Sequence, residues 1–76
     1  MKDYSDLSIV EFSDIILKMI TNEYNGLISR YKLEGLLLYS YFCSINRTYR
    51  IITQLVIDNK ICLITQSDGE YYKVII

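Results

Sequence analysis

A chain of 76 residues has the length of one small domain, and its 51% apolar content excludes a disordered tail because there is ample surface to bury. No apolar run is long enough to span a bilayer and no signal-peptide pattern opens the sequence, so we expect one soluble, cytoplasmic domain over residues 1–76. The net charge of −1 on its own argues against a nucleic-acid partner, but residues 29–57 hold four basic residues and one acidic residue, a local charge of +3.

The first predicted element is a helix over about residues 8–22. Ser8, followed three positions later by Glu11, matches the capping box that begins many helices. Apolar residues recur at helical spacing along one side and are expected in the core: Ile9, Phe12, Ile15, Ile16, Met19 and Ile20. Residues 22–26, Asn-Glu-Tyr-Asn-Gly, favour turns and are expected to end the helix.

A second helix is predicted over residues 30–42, with Ser29 as its N-cap. Its core stripe consists of Leu33, Leu36, Leu37 and Tyr41. The rest of its circumference is also apolar, with Leu38, Tyr39 and Phe42, so we expect this helix to be buried on all sides. Because Gly35 lies inside the segment, the alternative is a helix that starts near Gly35, after a loop and a short strand over residues 27–34.

A third helix is predicted over residues 45–58, with Ser44 as its cap and Asn59 as a left-handed residue after its end. One face is expected to pack on the core and carries Ile45, Thr48, Ile52, Leu55 and Val56. The opposite face carries Asn46, Arg47, Arg50, Thr53, Gln54 and Ile57.

The last predicted element is a β-hairpin of residues 61–66 and 71–76, since both are rich in β-branched and aromatic residues. With Asp68-Gly69 at the centre of a two-residue turn, paired residue numbers sum to 137. One face of the hairpin then carries Ile61, Leu63, Thr65, Tyr72, Val74 and Ile76. The other face carries Cys62, Ile64, Gln66, Tyr71, Lys73 and Ile75.

Three helices followed by a hairpin resemble winged helix-turn-helix domains, which implies an α+β fold and binding of double-stranded DNA. Residues 55–61, Leu-Val-Ile-Asp-Asn-Lys-Ile, resemble the passage from recognition helix to wing in that family, with Asn59 in place of the usual glycine. Residues 46–55, Asn-Arg-Thr-Tyr-Arg-Ile-Ile-Thr-Gln-Leu, are similar to the recognition helix of the gamma domain of FtsK-type DNA translocases. The resemblance places the DNA-contacting Asn and two Arg of that family on Asn46, Arg47 and Arg50. It implies DNA binding and not translocation, because the sequence contains no motor domain.

The residue types favour the same site. A helix enters the major groove when its outer face carries donors near its N-terminal end, where Asn pairs with adenine and Arg with guanine. We therefore expect the third helix to contact base edges through Asn46, Arg47, Arg50, Thr53 and Gln54. Arg30, Lys32 and Lys73 are expected at phosphates, and together with Arg47 and Arg50 they limit phosphate contacts to about five per chain. Contact by the hairpin turn stays open, because Asp68 and Glu70 at the turn repel phosphate.

An enzyme is not expected, since the sequence has no histidine, no glycine-rich phosphate loop and no nucleophile beside a base. No metal, cofactor or small-molecule ligand is expected either. Cys43 and Cys62 lack the spacing of a zinc site and are expected to be buried, reduced thiols.

Apolar residues outside the single core indicate a homodimer: Val10, Leu17, Leu38, Tyr39, Phe42, Ile64 and Ile75. The expected function is that of a small DNA-binding factor, either a regulator of transcription or an accessory protein. The alternative is a winged-helix module that binds other proteins and not DNA, which the acidic net charge and the spare apolar residues would suit.

Overall fold

Three helical segments and one three-stranded antiparallel sheet make up the α+β fold of the computed structural model, which describes Tyr4 and residues 6–75. In chain order the elements are α1 (Ile9–Glu23), β1 (Leu27–Ser29), α2 (Arg30–Gly35) continuing into a π-helical turn (Leu36–Ser40), α3 (Ile45–Ile57), β2 (Ile61–Gln66) and β3 (Gly69–Val74). Strand β3 lies between the other two, so the sheet order is β1-β3-β2. Within the described residues no helix is both long and apolar enough to cross a membrane.

The start of α1 confirms the predicted capping box. The Ser8 hydroxyl accepts the Glu11 backbone N–H at 3.1 Å, and the Glu11 carboxylate accepts the Ser8 N–H at 3.1 Å. These hydrogen bonds with Ser8 lower the pKa of the Glu11 carboxyl. The helix ends as expected, because Asn25 and Gly26 adopt positive φ angles of 55° and 81° and the Gly26 N–H returns to the Ile20 carbonyl at 3.0 Å.

The second helical segment differs from the prediction in length and in burial. Ser29 caps α2 through the Lys32 N–H at 3.1 Å, but the helix stops at Ser40 and its last five residues form a π-helical turn. Tyr39 and Phe42 are 79% and 73% exposed, so burial on all sides was wrong. The reason is that only a few elements cover this segment, and its buried side chains are confined to Leu33 and Leu37. The alternative was right about a short strand, which is β1, and wrong about a helix start near Gly35.

The turn that leads into α3 holds a bulky residue in a left-handed conformation. Phe42 has a φ of 57°, which is a rare conformation for an aromatic residue and is ordinarily taken by glycine or asparagine. Its ring is exposed, so burial of the side chain does not compensate for the backbone strain.

Removing the Cβ at this position should therefore stabilise the fold. We expect the free energy of unfolding to be about 1 kcal/mol higher for Phe42→Gly than for Phe42→Ala, because glycine adopts positive φ without a steric penalty. Part of that gain is offset by the freedom of glycine in the unfolded chain. Urea unfolding of the two variants and the parent measures the difference, and identical midpoints for the two variants would contradict the assignment of strain.

Helix α3 confirms the predicted cap and corrects the predicted core face. The Ser44 hydroxyl accepts the Arg47 N–H at 3.1 Å, and Asn59 follows the helix with a φ of 57°. The buried residues are Thr48, Ile51, Ile52 and Leu55. Ile45 and Val56 were placed on the core face but are 65% and 40% exposed. Both lie at the edge of the buried stripe formed by Thr48, Ile51, Ile52 and Leu55. The few elements packed around α3 do not cover that edge.

The hairpin has the predicted first strand and the predicted faces, but its second strand spans Gly69–Val74 and not residues 71–76, and its register differs. Gln66 pairs with Gly69 and Ile61 with Val74, so paired residue numbers sum to 135 and not 137. Ser67 and Asp68 occupy the turn with negative φ, whereas an Asp-Gly turn of the predicted type needs positive φ at both central residues; Gly69 alone takes a positive φ, of 140°. A shift of two leaves every side chain on its predicted face. Ile76 lies outside the described residues.

The core lies between the helices and the inner face of the sheet. Its buried hydrophobic residues are Phe12, Ile16, Met19, Ile20, Ile28, Leu33, Leu37, Cys43, Ile51, Ile52, Leu55, Ile61 and Tyr72. Burial raises the pKa of both Cys43 and Tyr72. Cys43 is a buried free thiol as predicted, whereas Cys62 is free but only half-buried because it lies on the outer face of β2.

Candidate nucleic-acid interface

The outer face of α3 carries the polar residues for which the sequence most strongly predicted a DNA contact. Asn46, Arg50 and Thr53 are exposed on the side opposite the buried Thr48 and Leu55. Within the described part of the chain, none of the three has a side-chain hydrogen bond or ion pair. Their donors and acceptors are therefore free for a partner.

Arg47 does not join this group, which corrects the expectation that it lies on the outer face. Its Nη2 donates to the Leu7 carbonyl at 2.7 Å and to the Tyr4 carbonyl at 3.2 Å, and its guanidinium lies 5.2 Å from the centre of the Phe12 ring. The side chain is half-buried, and its Nε is buried without a hydrogen-bond partner. Arg47 thus fastens the segment before α1 to α3, and its charge is turned into the protein.

Gln54 lies at the edge of the outer face. It is half-buried, and its amide donates to the Asp58 carboxylate at 2.8 Å. Beside it is a shallow depression, lined by Ile9, Tyr49, Arg50, Thr53, Gln54 and Ile57, that runs along the exposed side of α3. The polar outer face is therefore bordered by apolar side chains at both ends.

Arg30 is engaged by two carboxylates and is not a free phosphate ligand. Its Nη1 donates to Glu70 at 2.7 Å and its Nε to Glu34 at 3.3 Å, and these contacts raise the pKa of the guanidinium. The cluster ties the start of β3 to the start of α2 and carries a net charge of −1. The contact of Arg30 with Glu34 could be predicted from their i,i+4 spacing, whereas Glu70 is brought to Arg30 only by the folding of the chain.

The two nominated lysines lie on other sides of the molecule. Lys32 is one helical turn before Leu36, and Leu36 borders a crevice with Met19 and Glu23 of α1. Lys73 pairs with Leu27 and Cys62 on the outer face of the sheet, opposite the buried Tyr72. Neither lysine is brought to the outer face of α3.

Two apolar residues at the start of α3 were not among the site residues that the sequence predicted. Ile45 and Tyr49 are 65% and 55% exposed and lie one position before and three positions after Asn46. Periodicity assigned Ile45 to the core face, because an apolar residue on an amphipathic helix is read as core, and it assigned Tyr49 to neither face. With Glu34, Leu38 and Thr48 they line a groove of about 200 Å³ between α2 and α3.

Among the described residues, no group of three or more His, Cys, Asp or Glu side chains has the geometry to hold a metal ion. The Tyr71 hydroxyl donates to Asp68 at 2.7 Å, which raises the pKa of Tyr71 and holds the hairpin turn.

Comparison with known proteins found no family model, no curated protein and no solved structure that matches this chain.

Proposed function

We propose that this chain is a winged helix-turn-helix domain that binds double-stranded DNA with α3 in the major groove. The observation that carries the proposal is the outer face of α3, where Asn46, Arg50 and Thr53 are exposed and free of internal partners. The order of elements supports it. A helix, a short strand, two helices and a hairpin, with β3 between β1 and β2, is the arrangement expected of that family.

In this proposal α3 approaches the duplex by its N-terminal half. Asn46 and Arg50 lie one turn apart on the same side, so both face the duplex when the helix lies in the groove. Arg47 and Arg30 contribute indirectly: the first holds the start of α1 against α3, and the second holds the hairpin against α2. The physiological role that fits is that of a small regulator or accessory factor, acting as a homodimer on a two-fold site.

The electrostatic contribution to binding is expected to be small. Four basic side chains among the described residues are exposed and free of ion pairs, namely Lys32, Arg50, Lys60 and Lys73. Only Arg50 lies on the outer face of α3, so one or two phosphate contacts per chain are realistic, fewer than the five counted from the sequence. The slope of log affinity against log salt should lie between about −1 and −2 per chain.

Titration of a labelled duplex between 50 and 200 mM salt measures this slope by fluorescence anisotropy. A slope of −1 to −2 weakens binding about 4- to 16-fold over that range, whereas five contacts would weaken it about 500-fold. Light scattering on the same samples gives the number of chains per particle. This number is needed because a homodimer doubles the slope measured per particle. Absence of duplex binding at the lowest salt would overturn the proposal.

The second candidate function is a protein-interaction module, and the groove between α2 and α3 favours it. Leu38, Ile45 and Tyr49 give this groove an apolar lining, and Tyr39 and Phe42, close by in sequence, are strongly exposed. Such a surface suits an apolar side chain of a partner protein. Binding of this kind would show little salt dependence and would not require Arg50.

A further inference from the structure

The exposed side of α3 combines one amide, one free cation and an apolar flank. Asn46 is the amide and Arg50 the cation, while Ile45 and Tyr49 form the flank. Exposed apolar side chains on a surface helix gain free energy only when a partner removes them from water. The partner must therefore present an apolar group to this flank, next to the group that Asn46 contacts.

In the major groove of DNA that requirement selects one base pair. Adenine presents N7 and the N6 amino group, which a single Asn side chain contacts with two hydrogen bonds. Thymine, in the same pair, presents a methyl group, the one apolar feature of the groove edge. A guanine–cytosine pair presents no methyl group and would leave the flank against polar atoms.

The positions of the three side chains fit this pair. Tyr49 follows Asn46 by three residues and Ile45 by four, spacings that place Cβ atoms of a helix about 5–6 Å apart, and Ile45 directly precedes Asn46 in the chain. Arg47, whose guanidinium would have added guanine contacts, is turned into the protein. The apolar flank of Ile45 and Tyr49, which are 65% and 55% exposed, is thus available to a partner beside Asn46.

We infer that α3 recognises adenine–thymine pairs, with Asn46 on adenine and with Ile45 and Tyr49 on thymine methyl groups. This inference rests on the proposed function and names the class of duplex that the site takes. It makes Ile45 and Tyr49 specificity-determining residues, a role separate from the positive charge that Arg50 supplies.

Three DNA duplexes of equal length test the inference. Their sequences are alternating adenine–thymine, alternating adenine–uracil (uracil in place of thymine) and alternating guanine–cytosine. Uracil differs from thymine only by the missing methyl group. For each methyl group that the flank covers, we expect the parent protein to bind the adenine–uracil duplex about fourfold more weakly than the adenine–thymine duplex. The guanine–cytosine duplex should bind more weakly still.

Variants assign the effect to side chains. Ile45→Ala and Tyr49→Ala should reduce the difference between thymine and uracil, whereas Asn46→Ala should retain it and lose the preference over guanine–cytosine. Val10→Ala is the matched control, because Val10 is as exposed as Ile45, at 65%, but lies on α1. Thermal melting verifies that each variant is folded.

The outcomes separate this inference from the proposed function. Equal binding of the three duplexes by the parent overturns the inference and leaves DNA binding standing. A thymine–uracil difference that persists in both apolar variants also overturns it. If no duplex binds, DNA binding itself fails; if Ile45→Ala then also abolishes self-association, the flank is a protein contact.

Discussion

Replacing Arg47 by alanine is expected to lower the free energy of unfolding by about 2–4 kcal/mol. The guanidinium donates two hydrogen bonds to the carbonyls of Tyr4 and Leu7, and bonds of this charged kind contribute roughly 1.5–3 kcal/mol each. Contact with the Phe12 ring adds about 0.5–1 kcal/mol. The full sum is not reached, because Nε is buried without a partner and because water replaces some of the hydrogen bonds that alanine cannot make.

Thermal unfolding measures this destabilisation directly. In a domain of this size each kcal/mol shifts the melting temperature by about 4–8 °C, so Arg47→Ala should melt roughly 10–25 °C below the parent. Arg50→Ala is the matched control, since Arg50 is exposed without an internal partner and its removal should change stability by less than about 0.5 kcal/mol. Equal melting of the two variants would show that Arg47 is not anchored as described.

This result bears on how a loss of DNA binding would be interpreted. The sequence suggested that Arg47→Ala removes a base contact from a protein that remains folded. The structure gives the same variant a different expected phenotype, in which weaker DNA binding follows from a loosened start of α1. Arg47→Lys separates the two, because lysine keeps the charge but its ammonium ends one bond short of the position from which Nη2 donates to both carbonyls.

What the sequence predicted well are the features decided within one turn of helix. The capping box of Ser8 and Glu11, the caps Ser29 and Ser44, and the left-handed Asn59 all depend on neighbours three or four residues away. Such interactions are local, so residue type and spacing were sufficient to locate the starts of α1 and α3, whereas for α2 the sequence left a later start near Gly35 open.

What it could not predict are features decided by distant segments. Arg47 and Arg50 look alike on a helical projection, and only the position of Tyr4 and Leu7 turns one of them inward. The apolar pattern of residues 36–42 was misleading for the same reason: it records side-chain type, whereas exposure of Tyr39 depends on how many elements are present to cover it. In a chain with three helices, one side of α2 remains uncovered.

The outer face of α3 was therefore predicted in part. Asn46, Arg50 and Thr53 lie where the helical spacing placed them, because the core stripe of Thr48 and Leu55 fixes the opposite side. The phosphate ligands were predicted less well, since a count of basic residues does not reveal which of them pair with carboxylates. Arg30 is the clearest example, being held by Glu34 and Glu70.

Substitution of Asn46 or Arg50 by alanine is expected to weaken binding to the preferred duplex by about 5- to 150-fold, or 1–3 kcal/mol. Each side chain is exposed on α3 and makes no side-chain hydrogen bond or ion pair in the described structure, so the folded protein should be unchanged. Weaker binding would then report the removal of a DNA-binding group and not a loss of structure. Anisotropy titration together with thermal melting measures both quantities.

Two further variants test the role of Arg50. Lys18→Ala is a control for the loss of one positive charge, and Arg50→Lys distinguishes a base contact from a phosphate contact. Lys18→Ala removes one positive charge from the exposed surface of α1, where Lys18 pairs with Asp14 at 3.8 Å, and should leave binding nearly unchanged. Arg50→Lys keeps the charge of Arg50 but loses the two parallel donors that match guanine. If Arg50 contacts a base, Arg50→Lys should bind nearly as weakly as Arg50→Ala, with the preference relaxed at one position. If it contacts only phosphate, Arg50→Lys should bind like the parent, and Arg50→Ala should make the salt slope shallower by about 0.9. Parent-like affinity in both alanine variants would exclude α3 as the DNA-contacting helix, because Asn46 and Arg50 are the amide and the free cation by which the N-terminal half of α3 is proposed to contact the duplex.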